Sequence, residues 1–439
     1  MAVAPVAAAG VAADRRLRGY RAAVRRQPGQ RATALPAAHP HVPVRPQPGV
    51  PAGVVALCER QLPWFVEAHP ALTTPVFTRT HAVLRIGIVG CGKIADGHVE
   101  QIRATGRGDV VAVCDREPLM VEQLAERMRI PGRHTDLATM LANERLDVVH
   151  VATPPDSHLP IARQAMEAGC HVFMEKPFAL TADEAAAILD CARANGRRVS
   201  VNYLYNFETP GLELAELLDA GRLGDIVHLD THYGYNLSGD YGLAVMGDPG
   251  HWVHRLPGKL FHNVLDHVLA KIVPHIGDDF SVRTCAFRRR PATGNAMVDA
   301  MPDELRFLVH DGKVTANGLI SAHGRPVAHA LKVVGERDSV ELDYAARTLV
   351  HSARQNQPSA IGRLFPAWVQ SGRFARNGVR NLRRFGRHEF HYFQPMRVLL
   401  TRFYDAVNDD RGVDPIPHAH ILRVCRMIDA IVADIGRQP

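Results

Sequence analysis

Apolar and polar positions fall into three regimes along the 439-residue chain. Up to about residue 80 they keep no sustained period, and residues 26–54 are dense in Pro, Ala and Gly. A structureless leader is therefore expected over 1–80, with one short helix near Ala56–Ala68. From Val83 short apolar runs alternate with stretches whose apolar residues recur every three or four positions. Leu84–Val89, Val110–Cys114, Val148–Ala152, His171–Met174 and Arg198–Tyr203 read as strands; 93–104, about 118–129, 158–168 and 182–194 read as helices. Such alternation predicts parallel strands joined by crossover helices, a Rossmann-type doubly wound α/β sheet over 83–204.

After residue 205 the pattern changes. Ile226–Tyr233, Phe280–Phe287, Glu304–His310, Lys313–Ile320 and Ala328–Val334 read as strands largely without helices between them, which predicts a mainly antiparallel sheet. Asp311-Gly312 between two of these runs is a hairpin signal. Helices are expected around 258–272, 395–408 and 418–435, so 205–439 forms an α+β domain.

Composition narrows the setting. The net charge of +7 favours an acidic partner: nucleic acid, an anionic membrane or a phosphorylated small molecule. The 7 cysteines have no C-x-x-C pair and are odd in number, which argues against a disulfide framework or zinc ribbon and fits a reducing cytoplasm. No run is apolar enough to span a membrane. Arg15, Arg16 and Arg18 follow rather than precede the Ala/Val run at the amino terminus, the reverse of a secretory signal, so a disordered extension or a misplaced start codon is expected there.

The chemistry begins at Gly90-Cys91-Gly92-Lys93-Ile94-Ala95. This G-x-G-x-x-A turn follows the first strand and opens a helix, where Gly90 can make the tight turn, Gly92 can admit a pyrophosphate and Ala95 keeps helix and strand close. Exposed amides and the helix dipole then favour phosphate. Asp115 ends the next strand, placed to accept from the adenosine ribose hydroxyls, and its charge favours NAD over NADP. Arg116 beside it keeps NADP as the alternative.

Taken together, the Gly90 turn, Ala152-Thr153-Pro154 with His158, Glu175-Lys176-Pro177 and the run Asn263 to His267 resemble the glucose-fructose oxidoreductase, inositol dehydrogenase and MocA (Gfo/Idh/MocA) family over roughly 84–345. The resemblance implies that Thr153, Pro154, His158 and Glu175 border the cofactor. It implies that Lys176 lies beside the nicotinamide and the substrate hydroxyl, often ahead of a cis proline. The family's aspartate and general-base histidine, four residues apart, align with Asn263 and His267. Independently, a lysine next to a cationic nicotinamide has its charged form disfavoured, and a histidine can take a hydroxyl proton near neutral pH. The same helix face continues to Lys271. Two departures stand out. Asn263 carries no charge where the family has a carboxylate, and Tyr205 stands where many relatives have an arginine. His262 and Asp266 repeat the four-residue spacing one position earlier, so a shifted register stays open. Most of the 24 histidines are expected at the surface or in caps. His251 and His254 have no third ligand nearby, and no metal is expected.

Residues 371–403 interleave eight arginines, from Arg373 to Arg402, with Phe374, Phe385, Phe390, Tyr392 and Phe393. Two readings stay open: a helix packing its aromatics on the core and its arginines in water, or a surface for an anionic glycan substrate or peripheral membrane contact. No nucleic-acid module is matched. The expected function is hydride transfer between a nicotinamide cofactor and a secondary alcohol of a sugar, cyclitol or nucleotide sugar. The rivals are a non-catalytic NAD-binding regulator and an NAD-retaining glycosidase or epimerase. A homo-oligomer is implied by the resemblance alone.

Overall fold

The computed structural model describes residues 82–352, 360–409 and 412–437; the leader and its short helix near Ala56–Ala68 lie outside the described residues. The alternating half becomes β1 (Leu84–Val89), α1 (Ala95–Thr105), β2 (Gly108–Cys114), α2 (Pro118–Met128), β3 (Gly132–His134), α3 (Leu137–Asn143) and β4 (Val148–Val151). It continues with α4 (His158–Glu167), β5 (His171–Met174), α5 (Ala182–Ala194) and β6 (Val199–Val201). The six strands are parallel, in the order β3-β2-β1-β4-β5-β6. Ile86, Ile88, Val148, Val149, Val151, Val172 and Phe173 are buried, the near-continuous apolar strands that a sheet covered on both faces requires.

The second half opens with α6 (Thr209–Asp219), β7 (Ile226–Gly234), α7 (Asp240–Gly247), α8 (Lys259–Ile272) and β8 (Ser281–Phe287). Then come α9 (Ala296–Asp299), β9 (Glu304–His310), β10 (Thr315–Ser321), β11 (His329–Gly335), β12 (Ser339–Asp343) and β13 (Thr348–His351). Seven strands form one sheet, β13-β12-β11-β7-β10-β9-β8. Its pairs are antiparallel except the central one: β7 runs parallel to β10, with Leu229 beside Ala316. Two further strands and three helices separate β7 from β10 in the chain, a connection long enough to bring the strand back in the same direction. The expected hairpin joins β9 to β10, where Asp311 Oδ1 accepts from the amides of Lys313 and Val314 and Gly312 takes φ +85°.

Three helices end the described chain: α10 (Ala360–Gly386), α11 (Gln394–Val407) and α12 (His418–Ile435). The basic segment therefore divides, with residues 387–393 irregular between α10 and α11. α11 returns to the first sheet and packs on α1, burying Phe403 and Tyr404. The packing reading of α10 is corrected by the structure. Its inward face is polar, with Asn377 buried and donating to the Leu349 carbonyl (3.0 Å), while Leu364, Phe365, Trp368, Phe374, Leu382 and Phe385 face solvent. The sheet edge it covers, β13, offers backbone groups and Gln370, Arg373 and Asn377 answer them. No described helix is long and apolar enough to cross a membrane.

Candidate active site

β1 delivers the chain to Gly90, which has φ +98°; a β-carbon there would stand 2.7 Å from the backbone of Ala152. Only glycine fits both constraints. At Gly92 the position of a β-carbon is open, with nothing within 4 Å. Asp115 fastens this loop: its Oδ2 accepts from the Cys91 amide (2.8 Å) and its Oδ1 from the Glu117 amide (3.0 Å). Lys93 is exposed, Ile94 is half-buried at the helix start and Ala95 is buried against the sheet. The Arg116 side chain is 92% exposed and turned toward Glu117, 3.9 Å away. The Cys91 thiol is pushed up to about 12 by burial and the Asp115 charge, so it serves as a small apolar residue. The open position in front of Gly92 at the mouth of α1 suits a pyrophosphate, and the residues present fit a dinucleotide.

After β4, the Ser157 hydroxyl lies 2.7 Å from Thr153 Oγ1 and 2.8 Å from the Pro154 carbonyl. His158 opens α4 with its ring buried, its nitrogens 2.9 Å from the Thr153 carbonyl and 3.2 Å from that of Phe178. It thereby ties the loop after β4 to the loop after β5. Burial lowers its pKa, against the pull of the two carbonyls. It is a positioning residue.

Glu175 and Lys176 follow β5, and the Lys176–Pro177 bond is cis. Lys176 Nζ donates to the backbone carbonyl of Asn263 (3.0 Å) and to Asn263 Oδ1 (3.2 Å). Burial lowers the lysine's pKa, while Glu175 and Asp266 oppose the shift. One turn along α8, His267 stacks on Tyr233 (5.2 Å between ring centres) and meets the edge of Tyr205 (5.1 Å). Its pKa lies well below the usual histidine range, first through burial and then through Lys176 and Lys271. His262, by contrast, faces the Ala179 carbonyl. Of the two four-residue pairs, Asn263 and His267 is therefore the one whose first member meets Lys176 Nζ. Asp266 is buried beside the Tyr203 hydroxyl but outside hydrogen-bond geometry. Burial raises its carboxyl to about 6, opposed by Lys176 and Tyr203.

Behind Glu175 runs a buried polar chain absent from the sequence reading. Glu175 Oε1 lies 2.8 Å from His98 Nε2, His98 Nδ1 lies 2.8 Å from His150 Nδ1, and His150 Nε2 lies 2.7 Å from the Tyr404 hydroxyl. Asn202 donates to Glu175 Oε1 (2.7 Å), and the Lys176 amide donates to Oε2 (3.1 Å). With neutral imidazoles and an ionised Glu175, each proton has one assignment. Tyr404 donates to His150, His150 to His98 and His98 to the carboxylate. Burial raises the Glu175 pKa, but the bonds from His98 and Asn202 and the Lys176 charge outweigh it and leave a net lowering. The chain holds the residue next to Lys176 in place. His98→Leu would leave that buried carboxylate short of a donor and is expected to destabilise the fold by about 3 kcal/mol. A denaturation midpoint equal to that of the unmodified chain would remove this role.

A second group was only half legible. Lys271, buried one turn beyond His267, lies 2.5 Å from His329 Nε2 and 4.6 Å from the centre of the Tyr344 ring. Tyr205, in the arginine position, forms the adjoining wall, its ring edge-on to His329 (4.1 Å between ring centres). Burial holds Lys271 well below the usual lysine range. Most described histidines keep some exposure, but His98, His150, His158, His254, His262 and His329 are buried, each with at least one ring nitrogen facing a carbonyl, a carboxylate, a lysine or another ring. A cavity of about 1020 Å³ lies elsewhere, on the face of the seven-stranded sheet between Arg283, Phe307, Lys332 and Phe374, and contains none of these residues.

A parallel sheet whose first strand ends in a glycine turn that opens a helix defines a dinucleotide-binding Rossmann domain. Residues 84–203 match the model of the Gfo/Idh/MocA oxidoreductase family, NAD-binding Rossmann fold. The D-glucoside 3-dehydrogenase of Escherichia coli K12 is 34% identical over 148 residues, which are 34% of this chain and 42% of that protein. The chain spans less than half the length of the curated relatives it matches. Levoglucosan dehydrogenase, in complex with NADH and L-sorbose, shares the fold with a TM-score of 0.65 at 19% identity, over 81% of this chain and 97% of that one. The WlbA dehydrogenase of Bordetella pertussis, in complex with NADH and UDP-GlcNAcA, does so with a TM-score of 0.63 at 17% identity, over 81% and 96%.

Proposed function

We propose that this chain is an NAD-dependent dehydrogenase acting on a secondary alcohol of a sugar, cyclitol or nucleotide sugar. The observation that carries the reading is Lys176, half-buried beside the glycine turn's sheet, with Nζ on Asn263 and His267 one helical turn away. Bound NAD supplies the hydride acceptor. His267, with its base form favoured by burial, takes the hydroxyl proton, and Lys176 holds the oxygen through its one remaining N–H. Asn263 orients Lys176 through two carbonyl oxygens, and a neutral amide can do this without the family's carboxylate. The likeness to a glucoside dehydrogenase and to structures holding sugar or nucleotide-sugar ligands supports the substrate class. The test is a screen of sugars and nucleotide sugars for NADH production; a protein that binds NAD and turns over none of them favours the regulator or cofactor-retaining alternatives.

Cofactor choice is a separate prediction. Both Asp115 oxygens are tied to backbone amides at the loop, so the carboxylate stays where it repels a 2′-phosphate. NAD is expected to outperform NADP by at least about tenfold in kcat/KM. A preference for NADP would show that Arg116 and not Asp115 governs the choice.

A further inference from the structure

α10 has its amphipathicity reversed relative to a helix packed on a core. The face toward the protein is polar: Asn377 binds Leu349, Gln370 binds the His351 carbonyl, and Arg380 and Arg384 pair with Glu213. The face toward solvent carries Leu364, Phe365, Trp368, Val379, Leu382 and Phe385, with Trp368 73% exposed and Leu382 70%. A run of large apolar side chains along one exposed helix face marks an interaction surface, because single chains in water rarely tolerate one. Charge selects the occupant. The 27 residues of α10 hold six arginines and no aspartate or glutamate, and Arg363, Arg383 and Arg387 are exposed beside the apolar face. A second copy would bring its own exposed Arg363, Arg383 and Arg387 against these, with no acid on the facing helix to answer them. An acidic, apolar-backed layer meets both features at once.

We propose that α10 is an interfacial helix that docks the protein on an anionic phospholipid surface, its apolar face in the headgroup boundary and its arginines on lipid phosphates. The link to the site is short and held at several points. Past α10, Phe390 lies under the Arg347 guanidinium (4.3 Å), and Arg347 donates to the His391 carbonyl (2.8 Å) and pairs with Glu208 (3.3 Å), whose amide donates to the carbonyl of Tyr205, whose edge meets His267. Docking through α10 therefore sets the wall of the site close to the lipid surface. The docking itself does not depend on the reaction proposed above.

The full chain, incubated with phosphatidylcholine vesicles with or without phosphatidylglycerol, is expected to sediment only with the anionic ones. Its tryptophan emission should shift to the blue, a shift lost in Trp368→Phe. Trp368→Glu with Leu382→Glu should abolish sedimentation, and alanine at Arg363, Arg383 and Arg387 should weaken it about fivefold each, roughly a hundredfold together. All five side chains are exposed, so the thermal midpoint and NADH binding should stay unchanged. The proposal is overturned if the chain ignores anionic vesicles, or if the variants bind as before, since the arginine-rich leader would then be responsible. It is equally overturned if the apolar face mediates a dimer in solution that Trp368→Glu dissolves, or if RNA competes vesicles away.

Discussion

Lys176→Ala is expected to lower kcat/KM for the sugar substrate by roughly 10²–10⁴-fold, the usual range for losing a group that handles a proton in the transition state. NADH affinity should remain within about threefold, because the glycine turn and Asp115 do not touch the lysine side chain. The pH profile carries a second signature. His267 must be unprotonated to accept a proton, and burial, Lys176 and Lys271 hold its pKa well below 6.5. The acid limb of kcat/KM should therefore fall below pH 6.5. Removing the Lys176 charge removes one of the causes, so in Lys176→Ala that limb should move toward higher pH. Activity undiminished by the substitution would refute the assignment. A parallel collapse of NADH binding would make Lys176 a structural residue.

Acid should unfold this protein early. Burial holds His262, His275 and His420 down to about 4, whereas in the unfolded chain a histidine titrates near 6.5. Between those values the unfolded state binds protons that the folded state refuses, so stability is fully present above pH 6.5 and declines as the pH falls below it. By pH 5 each of the three accounts for a loss of about 2 kcal/mol, together about 6 kcal/mol, against a typical total of about 5–15 kcal/mol. His150, buried and depressed in the same way, adds to the loss. The thermal midpoint is expected to drop by roughly 10 °C or more from pH 7 to pH 5. A flat midpoint over that interval would show that these rings find donors or openings that relieve their burial.

These buried rings also mark where sequence reasoning stopped. The strong periods were readable: His171–Met174 and Ala182–Ala194 have the bounds that apolar runs and helical spacing indicate, and Asp311-Gly312 turns the hairpin as its residue types require. β3 was not readable, because Gly132–His134 is three residues without an apolar side chain, held by pairing with β2 and by the contacts of Arg133 with Glu122 and His134 with Glu144. Nor was the parallel pairing of β7 with β10, which no local signal encodes. Within the site, Gly90, Lys176 and His267 follow from motif and spacing. His98 was available in principle, since it sits beside Ala95, Val99 and Ile102 on the buried stripe of α1, where a polar residue demands a partner. Its partners could not be found, because His150 and Tyr404 come from distant parts of the chain. The outward apolar face of α10 was invisible for a related reason: composition shows amphipathicity, and only the contacts with β13 show which face is inside.

Tyr404 closes a hydrogen-bond chain that starts at Glu175 and runs through His98, and it lies 254 residues beyond its partner His150. On the ribosome, the parallel sheet emerges long before α11 does. Until α11 arrives, His150 lacks its tyrosine, and α1 lacks the cover of Phe403 and the Phe393 ring that lies against Gly97. The nucleotide-binding half therefore cannot reach its final form during synthesis in the order in which it is translated, and a nascent chain stalled before residue 394 should remain protease-sensitive in residues 84–203.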